Sequence, residues 1–420
     1  MPGSGERCPL PKGRPSNTPL YKYMHTECLV ELIHKGFDKL EIAIKAGLPM
    51  RLASIFEKAK TLASETDTPT PVDINGVRFF VASSGMMGGY RYRANTGTFG
   101  EEWWFKQKTS RKDAWGIRVR VSSVRIAVRG WSEAKKRIHQ TLEALGVVAL
   151  PHEYSIGRID FAMDFLFPSF EPISKNFVMG HRFKRNQNAI ATEYIEAGRT
   201  DRVETVTVGK MPGRQLQVYD KRAEVLSKKD RTWFEIYNHK RRAAGESEFD
   251  FSNPSVSRIW RLELRAGKKH LKEDWKVSSW SQVETTAPRI FKAMLRDIRY
   301  VVPSASDQNR SRWPNHRLWD GALEALKGDL FNLKSDISEE RLYAVQLQEW
   351  EDMIRSHISG SMIAMAARRG VSRDQLCTFA TAQFSNLLEE YEENKAHTER
   401  RLSKARKKYG LADEGEPIDV

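Results

Sequence analysis

An α+β fold follows from two changes of hydrophobic period along the chain. Between about residues 77 and 266, apolar residues recur at every second position in short runs separated by turn-forming residues. On either side of that region they recur at helical spacing. The architecture expected is an N-terminal helix-turn-helix, a central mixed or antiparallel sheet domain of two related βαβ-like halves, and a C-terminal helical region.

Taken in order, residues 1–22 are rich in Pro, Gly, Lys and Arg and read as a disordered basic arm. Residues 23–66 read as helical. Asp38 would cap a short helix, Gly47 and Pro49 would end it, and a second helix would start near Met50 and carry Arg51 towards DNA. Glu65–Pro71 has linker composition. The sheet domain spans 76–300, with strands near 77–82, 90–94, 102–107, 117–121, 124–129, 156–166, 203–209, 214–219 and 256–266. Helices are expected at about 131–145, 221–244 and 281–298. Each half then reads as a hairpin, a helix and a returning strand. Residues 317–410 are helical and charged, with Glu389, Glu390, Glu392 and Glu393 followed by Arg400, Arg401 and Lys404. An acidic tail, 411–420, ends the chain.

The 420 residues carry 69 Lys and Arg against 54 Asp and Glu, a net charge of +15, which points to a polyanionic partner. No apolar run is long enough to span a bilayer, so no membrane partner is expected and a cytoplasmic protein is. Three scattered cysteines, Cys8, Cys28 and Cys377, suit neither a disulfide framework nor a zinc site.

Strand alternation supplies the candidate chemistry. In RIDFAMDF (158–165), Ile159, Phe161, Met163 and Phe165 take one face, while Arg158, Asp160 and Asp164 take the other. In RQLQVYDK (214–221), Leu216 and Val218 point to the core and Tyr219 and Lys221 point away. In RIWRLELR (258–265), Arg261, Glu263 and Arg265 share the polar face. If these strands are neighbours, one sheet face gathers Asp160, Asp164, Glu263, Tyr219, Lys221, Arg261 and Arg265. Carboxylates crowded together repel unless a cation lies among them, and oxygen-only ligands suit Mg²⁺ or Mn²⁺. A phenol of pKa about 10 needs cationic help to act as a nucleophile at neutral pH. Arg118, Arg120, Arg125 and Arg129 alternate as a phosphate-tracking face, and Trp103 and Trp104 are aromatics that stack on bases or pack in the core. Tyr194 and Tyr237 read as structural.

The order GGYRYR (88–93), WGIRVRVSS (115–123), RIDFAMDF, VYDKR (218–222) and RLELRAG (261–267) resembles the Rep_trans family of rolling-circle replication initiators of plasmids and filamentous phages, with the related MobT-type relaxases. The resemblance covers about residues 76–330, and YDKR followed by an R-x-E strand is its most specific part. It implies a nicking-closing enzyme that leaves a 5′-phosphotyrosyl link and a free 3′-hydroxyl at an origin. On it, Tyr219 is the nucleophile, aided by Lys221 and Arg261. Asp160, Asp164 and Glu263 are ligands of Mg²⁺ or Mn²⁺, and Arg222, Arg118, Arg120, Arg265 and Arg51 contact DNA. The partners implied are origin duplex or hairpin and single-stranded DNA, with a host helicase and a second copy of the chain as further candidates. No His-hydrophobic-His pair occurs among the ten histidines, which departs from two-histidine relaxase chemistry. A MobT-like transfer relaxase, or an origin-binding regulator without cleavage, would carry much of the same pattern.

Overall fold

Fourteen strands and nine longer helices make up the computed structural model among the residues it describes, 22–23, 30–107, 115–180, 194–199 and 202–408. The basic arm over 1–21, Cys8, Cys28 and the acidic tail over 411–420 lie outside them. The strands are β1 (Lys22–Tyr23), β2 (Val30–Ile44), β3 (Thr70–Ile74), β4 (Val77–Val81), β5 (Tyr90–Asn95), β6 (Glu101–Lys106) and β7 (Ile117–Val121). Then follow β8 (Tyr154–Leu166), β9 (Phe177–Met179), β10 (Tyr194–Arg199), β11 (Arg202–Gly209), β12 (Arg214–Asp220), β13 (Ile259–Gly267) and β14 (Ile298–Tyr300). The helices are α1 (Met50–Thr66), α2 (Ser123–Ala144), α3 (Lys221–Lys228), α4 (Thr232–Ala243) and α5 (Trp280–Asp297). The last four are α6 (Arg317–Ala325), α7 (Glu339–Arg368), α8 (Leu376–Glu393) and α9 (Lys395–Lys408).

Twelve strands form one sheet in the order β10-β11-β12-β13-β8-β2-β7-β6-β5-β4-β3, with β1 added beside β2. Every ladder pairing among the described residues is antiparallel. The α+β class and the helical C-terminal region stand as the sequence indicates. The hairpin β11–β12 is joined through α3 and α4 to its returning strand β13, which pairs directly with β12. In the other half β8 returns after β6, β7 and α2, but β2 lies between β7 and β8.

That insertion corrects the N-terminal helix-turn-helix. Residues 30–44 are a central strand, not a helix, and α1 starts only after Pro49. Val30, Leu32, Phe37, Leu40, Ile42 and Ile44 are buried on the core side. Their alternation is broken twice, because Ile33 and Asp38 are extra residues relative to β8. Such bulges flip the phase of a strand, so its apolar residues fall at spacings that imitate a helix. The segment 124–129, expected as a strand, is instead the first part of α2, capped by Ser122, whose hydroxyl accepts from the Arg125 amide. Gly130, at φ 81°, kinks α2, and a Cβ there would lie 3.2 Å from the Leu333 carbonyl oxygen. The expected linker at 65–71 is shorter than its composition suggests: α1 runs to Thr66 and β3 begins at Thr70.

Beneath the sheet, α1 lays Leu52, Phe56, Ala59 and Ala63 against β3–β5, with Phe56 edge-on to Phe79, Tyr92 and Phe105. Helices α5, α6 and the second half of α2 cover β2, β8 and β13, where Phe37 meets Trp131, Phe161 and Phe291. This continuous apolar layer makes one face of β8, β12 and β13 rigid. Their polar face is left to α3, α4 and solvent.

Candidate active site

Neighbouring strands β12, β13, β8 and β2 place the sequence candidates in cross-strand rows. Tyr219 is opposite Arg261, Arg261 is opposite Asp164, and Asp164 is opposite His34. Two residues along, Gln217 is opposite Glu263, and two further along Gln215, Arg265, Asp160 and Lys39 form another row. Lys221, the first residue of α3, turns back over this face. Its Nζ lies 5.9 Å from the Tyr219 ring centroid and 4.9 Å from that of Trp233.

Arg261 is the centre of the site and is 1% exposed. Its Nε and Nη2 donate to the two oxygens of Asp164 at 2.6 and 2.7 Å, and its Nη1 donates to Asp38 Oδ1 at 2.7 Å. The Trp233 ring covers the guanidinium at 4.1 Å. Burial opposes the charge, but Asp164, Tyr219 and Asp38 outweigh it and hold Arg261 protonated. Helix α4 supplies the cover through Trp233, Tyr237 and Lys240, which lie on one side of it at helical spacing. The Tyr237 hydroxyl donates to Asp164 Oδ2 at 2.7 Å, and Lys240 Nζ lies 3.2 Å from His34 Nδ1. Burial brings Lys240 down to about 8.

This geometry sets the surroundings of Asp164. Both of its oxygens accept from Arg261 or Tyr237, so Asp164 anchors the buried guanidinium. Arg158 donates to Asp160 through Nε and Nη2, and Arg265 donates to Glu263 through the same pair of nitrogens. Among the described residues no group of three or more His, Cys, Asp or Glu side chains is placed to hold a metal ion. The set Asp160, Asp164 and Glu263 therefore does not fit the Mg²⁺ or Mn²⁺ site expected from the sequence: each acid already has a guanidinium in its ligand positions.

The remaining acids interact strongly. Burial, then the charge of Glu263, push Asp160 up to about 7 in spite of Arg158. Burial also raises Asp38, against Arg261. For Glu263 burial acts upward, but Arg265, Arg261 and Arg158 hold it below the usual carboxylate range. The folded state thus keeps on Asp160 a proton that the unfolded chain releases near its ordinary 3.8. Stability should fall as pH rises from about 4 through about 7. In Asp160→Asn that part of the fall should disappear, leaving a flatter Tm profile over pH 4–8 in thermal melts. An unchanged profile would remove Asp160 as its source.

Tyr219 is half-buried on this face, and burial raises its phenol well above 10, with Arg261 opposing. The folded chain therefore holds Tyr219 as the neutral phenol. Elsewhere the candidates divide. Arg118 and Arg120 lie on the same polar face, paired with Glu41 at 2.6 and 3.3 Å, and both guanidiniums cover Trp104. Trp103 points the other way into the core beside Phe105. Arg125 and Arg129 sit on α2 and pair with Glu339, away from Arg118 and Arg120. Arg222 donates to the carbonyls of Phe251 and Ser252, which turns it away from Tyr219. Arg51 is exposed on the first turn of α1. Tyr194 opens β10, the edge strand of the sheet, opposite Val208.

Asp38, His34, Trp233 and Lys240 were not singled out from sequence as site residues. Asp38 reaches the polar face only because it is bulged, and the α4 residues enter from a helix that covers the sheet. The one signal for α4 was its Trp-Phe-x-x-Tyr run, which reads equally as packing. No helix among the described residues is long and apolar enough to cross a membrane. No protein-family model matches the chain, and no curated protein matches it. Among solved structures, the chain is similar to a rolling circle replication initiator protein from Geobacillus stearothermophilus, at 16% identity and a TM-score of 0.39, over 71% of this chain and 98% of that one.

Proposed function

We propose that this chain is a DNA nicking-closing enzyme in which Tyr219 takes the cut strand as a phosphotyrosine, starting rolling-circle replication or transfer. The observation that carries the reading is the row Tyr219–Arg261–Asp164, in which a tyrosine lies beside a guanidinium locked by two carboxylates. A fixed guanidinium and the Lys221 ammonium suit the charge that builds on phosphoryl oxygens during in-line displacement. The phenol oxygen bonds to phosphorus as the P–O3′ bond breaks. The phenol proton passes to a carboxylate of this face, and the departing 3′-oxygen takes up a proton. Asp38 suits that exchange, because it meets the same guanidinium and burial raises its affinity for a proton. Reversal of the same steps reseals the strand. Arg265, Arg118 and Arg120 extend the cationic face, where carboxylate partners hold guanidiniums ready for exchange onto phosphates.

The direct test is incubation with supercoiled plasmid carrying the DNA that flanks this gene, in Mg²⁺, in Mn²⁺ and in chelator. Open-circle product with protein attached at the 5′ side of the nick is expected. Salt-sensitive binding with no nick under all three conditions would instead make the chain an origin-binding regulator.

A further inference from the structure

We propose that Trp233 is a shutter over the two cations beside Tyr219, and that it opens by stacking on the base next to the scissile phosphate. The inference rests on the nicking reading in taking single-stranded DNA at Tyr219 as the ligand. Both cations that would meet the phosphate are covered: Arg261 is 1% exposed and Lys221 5%. One ring lies against the two. The Trp233 ring centroid is 4.1 Å from the Arg261 guanidinium carbon and 4.9 Å from Lys221 Nζ. Beneath that ring Arg261 keeps capacity for a phosphate. Asp164 and Asp38 take one N–H from each of its three nitrogens, so Nη1 and Nη2 each hold a second N–H. Lys221 bonds Glu224 at 2.5 Å and has further donors. A phosphate oxygen reaches these donors once the indole moves aside.

The position of Trp233 lets it move while its surroundings stay folded. It is the second residue of α4, just after the turn in which Lys229, at φ 51°, ends α3. Behind it the helix has anchors of its own. Phe234 stacks on Phe251 with 3.7 Å between ring centroids, Ile236 is fully buried, and Tyr237 bonds Asp164. Trp131 and Trp319 are pinned through their indole nitrogens, to Glu284 and to the Leu295 carbonyl. Trp233 is instead held by ring contacts: to the two cations, to His34 at 5.1 Å and to Tyr237 at 5.9 Å. A phosphate undoes the cation–π part of that hold, because its oxygens take over both cations. A nucleobase then gives the freed indole a new partner, since every base presents a π-face for stacking. Lys221 fixes where that base lies. Its Nζ is 5.9 Å from the Tyr219 ring centroid as well as 4.9 Å from that of Trp233, so a phosphate held at Tyr219 brings the adjoining base to Trp233.

The test uses the full chain labelled with 5-fluorotryptophan, in chelator, with octathymidylate and an abasic octamer of the same phosphates as probes. The Trp233 fluorine signal is the one that Trp233→Phe removes. Octathymidylate is expected to shift it at a concentration where the abasic octamer does not. In binding titrations Trp233→Ala should hold octathymidylate at least about fivefold more weakly, yet hold the abasic octamer as well as wild type or better, because the cations are uncovered. Trp233→Phe keeps a stacking ring and should stay within about threefold of wild type on octathymidylate. A wild-type signal that octathymidylate leaves in place, an abasic octamer that shifts it as strongly, or an alanine variant of unchanged melting that loses both probes equally would overturn the proposal. The wild-type signal decides even where the alanine variant does not fold. No readout needs cleavage, so a chain that passes yet never nicks supercoiled plasmid would refute the nicking reading alone.

Discussion

Tyr219→Phe is expected to abolish the covalent protein–DNA adduct, by at least about a thousandfold, while duplex binding changes less than about twofold. The ring stays in place under Lys221, so the cation contact and the packing of β12 persist and only the attacking oxygen is lost. The measurement is a denaturing gel of end-labelled origin DNA, read beside a binding titration with the same preparation. A retained adduct would show that another residue attacks, and the assignment of Tyr219 would fall. A loss of both adduct and binding would mean that the substitution damaged the sheet, which melting of the variant would show directly.

Arg261→Ala is expected to destabilise the fold by about 3–5 kcal/mol, because it leaves Asp164 and Asp38 without their guanidinium in a buried setting. Asp164→Asn should cost a large part of the same energy from the other side. The pair Arg261→Met with Asp164→Asn should then be less damaging than the two single changes added together. Arg261→Lys keeps the charge but loses the fork that bridges two carboxylates, so its stability should fall between wild type and Arg261→Ala. Denaturant unfolding of these variants checks the order. If the single changes prove additive, Arg261 and Asp164 do not act as one unit and the anchoring role of Asp164 is wrong.

The polar face itself was legible in the sequence wherever alternation ran unbroken. RIDFAMDF, RQLQVYDK and RIWRLELR each display their side chains without a phase shift, and β8, β12 and β13 keep that phase through their pairing with one another. Strand β2 was not legible, because Ile33 and Asp38 each reset its period and Gly47 and Pro49 imitate a turn between helices. The same bulge that hid the strand hid a site residue. Asp164 was placed on the polar face, but its hydrogen-bond partner Tyr237 was not legible, since it lies 73 residues away on a helix. Local sequence reports which way a side chain leaves a strand. It does not report what arrives above the sheet to meet it.

The position of β2 between β7 and β8 also sets a problem of timing. During vectorial synthesis β2 leaves the ribosome roughly 75 residues ahead of β7 and about 110 ahead of β8. At 5–20 residues per second that is several seconds as a long apolar strand without β7 or β8 beside it. For that interval only the two-residue β1 can pair with it, at Val30 and Glu31, and the rest of both edges is open, the state in which strands capture strangers. Nascent chains stalled before β8 should therefore be held by chaperones or aggregate, and those stalled beyond it should not.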